Sequence, residues 1–205
     1  MRILKPRTRS GRQTEFFMTN IIDSIGAEYL RYKALAEAAI DQLTDDELSA
    51  AGPAGSNSIA IICWHVSGNL QSRFTEFLTT DGEKPWRERE EEFRSRTVTR
   101  PELLSKWSQG WDVLLGALST LTDEQLQVTV MIRNQPLRVH EALHRSLAHL
   151  SYHVGQIVYI AKAIRGKEWK YLSIPPGKSD AYNQAPTREK PASHQAALSK
   201  RSTRK

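Results

Sequence analysis

Apolar side chains recur every three to four positions through four long stretches of this chain, a period that commits each stretch to a helix with one buried face. The first runs from Ile21 to Leu43 through Ile25, Tyr29, Tyr32, Leu35, Ala36 and Ala39. A second is expected to reach about Thr80, with Ile59, Ile62, Val66, Leu70, Phe74 and Phe77 on one arc. Leu103, Leu104, Trp107, Trp111, Leu114, Leu115 and Leu118 mark a third, stopping near Thr120. The fourth spans about His140 to Ile164 through Leu143, Leu147, Leu150, Val154, Ile157, Val158 and Ala161, and Arg165-Gly166 closes it. Thr44-Asp-Asp-Glu47 and Thr99-Arg-Pro-Glu102 read as capping boxes, and Ser56, Asn57 or Ser58 can cap the second helix. The expected class is all-α, a four-helix bundle.

Between the second and third helices, residues 81–98 form a connection longer than bundle helices usually need, so these two helices are expected to run parallel. Gln127 to Val139 alternates apolar and polar residues around Arg133-Asn-Gln-Pro136, the pattern of a small hairpin before the fourth helix. Leu-Thr-Asp-Glu-Gln-Leu at 121–126 echoes Leu-Thr-Asp-Asp-Glu-Leu at 43–48, each behind a helix. From Ser173 the chain turns rich in Pro, Gly, Lys and Ser. The folded domain is therefore expected over 18–186, with 1–17 a disordered basic arm or upstream extension ahead of Met18 and 187–205 a disordered basic tail.

The formal charge of +6 suggests nucleic acid until it is located. Residues 1–17 hold five basic side chains against Glu15, and 185–205 hold six against Glu189, which leaves 18 basic and 21 acidic side chains between them. A net-acidic body with interleaved charges, as in Trp86-Arg-Glu-Arg-Glu-Glu-Glu-Phe-Arg94, argues against a duplex-binding face. No run approaches the roughly 18 apolar residues of a membrane span. The single cysteine, Cys63, sits on the apolar arc of the second helix, reads as packing and suits a cytoplasmic setting.

Five of the six histidines fall at 65, 140, 144, 149 and 153. His149 and His153 are one helical turn apart at the border of an apolar arc, and Gln156 continues their stripe. On the second helix His65, Asn69 and Glu76 share a stripe with Ser72, again beside the apolar arc. Two such stripes can meet inside a helical shell, where buried imidazoles need either hydrogen bonds or a metal. Three neutral imidazoles suit a divalent ion of Zn, Ni, Fe or Mn and leave a coordination position open. His140 and His144, at the start of the fourth helix beside the hairpin, read as a surface or supporting pair. Trp64, Trp107 and Trp111 read as core or dimer contacts.

Cys-Trp-His65-Val-Ser-Gly-Asn69 together with Ala-His149-Leu-Ser-Tyr-His153-Val-Gly-Gln156-Ile resembles the DinB/YfiT-like superfamily of bacterial metal-binding bundles, and in particular a subfamily without an assigned function. The likeness covers about 18–186, including Asp-Gly-Glu-Lys-Pro-Trp86 and Ser-Ile-Pro-Pro-Gly-Lys-Ser-Asp-Ala-Tyr-Asn. It implies an up-down-down-up helix order, frequent homodimers, and a metal held at the positions matching His65, His149 and His153. Many members carry His-Arg-Gly-Gln where this chain has His153-Val154-Gly155-Gln156, so an anion-binding task of that arginine must lie elsewhere or be absent.

The function expected from these residues is a metal-dependent thiol S-transferase or hydrolase acting on a small-molecule substrate. Asn69 and Gln156 would orient water or substrate, and Glu76 would accept a proton if the pocket extends that far. The rival is a non-enzymatic dimeric interaction or stress-response bundle whose histidine cluster is structural.

Overall fold

The computed structural model describes residues 20–202 and is mostly helical, with one two-stranded sheet among the described residues. Four long helices supply the core: α1 (Ile21–Ile40), α3 (Ile59–Phe74), α5 (Arg100–Thr120) and α6 (Val139–Arg165), with the one-turn helix α2 (Asp45–Ser49) between the first two. A short helix, α4 (Arg89–Glu92), interrupts the charged connection before α5. Strands β1 (Thr129–Ile132) and β2 (Gln135–Arg138) precede α6, while α7 (Ser179–Asn183) and α8 (Pro191–Ser202) follow it.

The helices begin and end for local reasons. Asn20 Oδ1 accepts from the Ile22 N–H at 2.8 Å, and the Asp123 carboxylate takes the Ile21 and Ile22 amides at 2.9 and 3.0 Å, so two side chains satisfy the positive end of α1. At its other end the Arg100 guanidinium donates to the Ile40 and Leu43 carbonyls. Both expected capping boxes form, at Thr44 with Glu47 and at Thr99 with Glu102. Of the three candidate caps for α3, Ser58 serves, its Oγ accepting from the Ile61 amide at 3.2 Å. Gly166, at φ +52°, closes α6 in a conformation that L side chains rarely adopt.

Trp107, Trp111, Tyr29, Leu114, Leu143, Leu150 and Ile157 are fully buried, and the Tyr29 hydroxyl donates to the Leu143 carbonyl at 2.9 Å, joining α1 to α6. Cys63 is buried as expected, and burial pushes its thiol pKa up. The hairpin forms in the expected place, with Val130 opposite Leu137 and the turn residues Arg133 and Asn134 both at positive φ. Asp81 accepts from the amides of both turn residues, and the Gly82 amide donates to the Met131 carbonyl, which ties the hairpin to the chain leaving α3.

Two expectations are corrected. The second long helix stops at Phe74 and not near Thr80, because Thr75 is extended and Glu76 turns left-handed at φ +48°. Phe77, the last residue of the expected arc, is buried from that turn. The chain also stays packed beyond Pro186: α8 lies against α1, Leu198 is buried, and buried His194 bonds the Leu172 carbonyl at 3.0 Å. Lys200 is exposed on α8, and residues 203–205 lie outside the described residues. Residues 1–17 lie outside the described residues.

The pairing of α3 with α5 is set by Gly110, where a Cβ would meet the Ser67 Cα at 2.6 Å and its carbonyl oxygen at 2.9 Å. Backbone cannot yield as a flexible side chain can, so Gly110→Ala should destabilise the chain by about 1–3 kcal/mol in denaturant titration. An unchanged midpoint would contradict this close approach.

Candidate metal centre

His65 projects from the middle of α3, and His149 and His153 project one turn apart from α6. The two helices pack together, so the rings converge: His65 to His149 at 5.3 Å between centroids, His65 to His153 at 4.8 Å and His149 to His153 at 4.7 Å. One nitrogen of each ring lies within 4.8 Å of the other two. His65 Nε2 and His149 Nε2 are 3.4 Å apart. Two nitrogens on one tetrahedral ion, each about 2.0–2.1 Å from it, stand about 3.3–3.4 Å apart, so this pair is already at ligand spacing.

The far side of each buried ring is engaged. His65 Nδ1 lies 2.9 Å from Glu92 Oε2, and His153 Nδ1 lies 2.9 Å from Gln156 Oε1. Because both acceptors are oxygens, each Nδ1 carries the proton and each Nε2 keeps its lone pair for the cluster. His153 Nε2 is buried and has no hydrogen-bond partner. An orphaned acceptor beside two other imidazoles fits a three-nitrogen cation site.

The carboxylate behind His65 comes from the charged connection. Arg87 grips Glu92 with Nε at 2.8 Å from Oε1 and Nη2 at 2.9 Å from Oε2, and both side chains are almost wholly buried. Burial pushes the Glu92 pKa up, but the His65 and Arg87 hydrogen bonds and the guanidinium charge outweigh it, so the group is held below its ordinary value. Phe93 stacks on His65 at 4.7 Å and the Arg96 guanidinium lies over Trp64 at 4.6 Å, docking the segment on α3. Gly68 makes room for it: a Cβ there would meet Glu92 Cδ at 2.7 Å and collide with Oε1. Sequence reading missed Glu92 and Arg87. The available signal was Gly68, one turn past His65, opposite a connection that carries both aromatic and acidic residues.

A cavity of about 500 Å³ opens beside the cluster, bordered by His65, His149, Asn69, Tyr152 and several arginines. Asn69 is therefore at the site. Gln156 is too, but as the partner of His153 and not as a free group awaiting substrate. Glu76 is exposed beyond the end of α3 and does not border the cavity, which removes the reason for assigning it proton transfer. His140 and His144 stand apart from the cluster, with His140 Nδ1 3.0 Å from the Leu126 carbonyl oxygen.

Burial, then the neighbouring His153, His65, Arg87 and Arg73, lower the His149 pKa to about 3. Burial also lowers His153 to about 4, with the Gln156 hydrogen bond opposing and His65 adding to the shift. Both rings are thus neutral at pH 7, the state a metal ligand requires.

On unfolding the two rings return towards 6.5, so between 6.5 and 4 the unfolded chain binds more protons than the folded one. Stability of the metal-free chain should be fully present above pH 6.5 and fall as the pH drops towards 4, with these rings contributing up to about two protons to the slope. Denaturant titration across that range checks this: His149→Gln should flatten the profile, and an identical slope in the variant would contradict the assignment.

No curated protein and no solved structure matches the chain. A family model described as Protein of unknown function (DUF1572) matches residues 17–178. That match covers most of the sequence, and the chain belongs to this family of unknown function.

Proposed function

We propose that this chain is a DinB-like four-helix bundle, ordered up-down-down-up, in which His65, His149 and His153 hold one divalent ion of Zn, Ni, Fe or Mn and serve a metal-dependent thiol S-transferase or hydrolase reaction on a small molecule. The observation that carries the reading is the convergence of three imidazole nitrogens, one of them buried without any partner. When bound, such an ion supplies Lewis acidity towards a water or a thiol. The chain's own groups do the rest. Glu92 and Arg87 fix the ring plane and tautomer of His65, and Gln156 does the same for His153. His149 faces the cavity between them, with the Tyr152 ring at 5.2 Å. Asn69, on the cavity wall one turn beyond His65, is placed to hold a polar group of a substrate against the site. A homodimer working in the cytoplasm completes the proposal.

The rival, a non-enzymatic dimeric or stress-response bundle with a structural cluster, draws on the His65–His149 separation of 3.4 Å, which a ring-to-ring hydrogen bond would also give. That bond would leave His153 Nε2 orphaned at a cost of about 1–3 kcal/mol, which is why the metal reading is preferred.

Elemental analysis of untagged protein purified without chelator should find about one first-row ion per chain, absent from His149→Ala and His153→Ala. Gly68→Ala, which displaces Glu92, should keep the helical circular dichroism and bind the ion about 10–100-fold more weakly. No ion after loading with Zn, Ni, Mn and Fe(II) would overturn the proposal in favour of its rival.

A further inference from the structure

The cavity beside the histidines is cationic to a degree the net-acidic body does not lead one to expect. Arg73, Arg87, Arg89, Arg133 and Arg145 border it, and no aspartate or glutamate does. Three carboxylates partner these arginines from outside the wall: Glu83 takes both Arg73 and Arg133, Glu92 takes Arg87, and Glu90 takes Arg89. Positive charge is therefore left over.

Arg145 carries charge that no carboxylate offsets, and Arg87, although neutralised by Glu92, keeps a donor without an acceptor. The Arg87 side chain is 2% exposed, and its Nη1 is buried with no hydrogen-bond partner although Nε and Nη2 are both engaged by Glu92. A buried guanidinium donor left without an acceptor is costly, and it adds to the positive potential of this wall. Arg145 stands on α6 one turn before His149, so its side chain neighbours that histidine on the same helix face. It is exposed, and no carboxylate in the described residues pairs with it.

We infer that the cavity receives the oxyanion group of a small acidic substrate, a carboxylate or a phosphate, on the Arg145 guanidinium within this arginine-lined wall, with the remainder of that molecule directed at His65 and His149. The inference rests on the histidine cluster being the reactive end and adds the substrate's class. Planar guanidinium forks favour oxyanions through charge-assisted, geometrically matched hydrogen bonds. The position matters as well as the charge. An anion anchored one helical turn from His149 leaves room in about 500 Å³ for a ligand of several carbons between the two ends.

The test uses the full chain, stripped of metal and followed by isothermal titration with succinate, with inorganic phosphate and with uncharged succinamide. Succinate or phosphate should saturate the protein, more weakly as salt is raised, while succinamide should not bind. The tighter of the two anions identifies the source of the oxyanion. Arg145→Gln, an exposed change that should leave circular dichroism untouched, should weaken the anion at least about tenfold. Failure of both anions to bind, or equal binding by Arg145→Gln, would overturn the inference. Because no metal is present, the two readings separate: a chain that takes up metal but neither anion keeps the metal centre and loses this site, and one that binds anion without metal uptake does the reverse.

Discussion

A carboxylate buried in a protein needs compensation for its lost hydration, and the histidine cluster is organised around one such group, Glu92. Transferring an ion out of water costs several kcal/mol even after relaxation, and removing one partner from a buried pair typically costs about 3–5 kcal/mol. Glu92 offsets this with three hydrogen bonds, two from Arg87 and one from His65. The consequence is directional. Once the carboxylate accepts from Nδ1, the lone pair of His65 can point only towards α6, where His149 and His153 lie. The tautomer of one ring thereby organises the other side of the site.

Arg87 serves two surroundings at once. Its Nε and Nη2 neutralise Glu92, its Nη1 is buried without a partner, and the residue also borders the cavity. The connection between α3 and α5, by its length and charge a surface loop, is thus what aims a histidine. It is held by contacts that a loop rarely makes: Phe93 on His65, Arg96 over Trp64, and Glu92 in the space left by Gly68. Loss of any of these would act on the histidine cluster without replacing a histidine.

What was legible in the sequence follows from periodicity. The helices, their capping boxes and the hairpin each leave a local pattern, and so do His149 and His153, one turn apart on an apolar border. Joining His65 to them needed only the rule that polar stripes beside apolar arcs meet inside a helical shell. The end of α3 was hidden because Phe77 continues the arc by spacing while reaching the core from a left-handed turn at Glu76, and that is why Glu76 was misplaced. Glu92 was hidden more deeply. In a run of alternating charges nothing local says which acid turns inward, since the choice is made by tertiary partners on α3. The helix α8 escaped for a related reason: its charge suggested solvent, whereas it packs on α1 with Leu198 buried, and buried His194 bonds the Leu172 carbonyl.

The central claim is that three imidazoles, aimed by Glu92 and Gln156, form one metal centre with an open position. X-ray absorption spectroscopy of the zinc-loaded chain tests it most directly. The account predicts a first shell of about three imidazole nitrogens at about 2.0–2.1 Å with a light oxygen or nitrogen donor in the remaining position. A shell of oxygens alone, a sulfur ligand, or three imidazoles that persist in His153→Ala would contradict it.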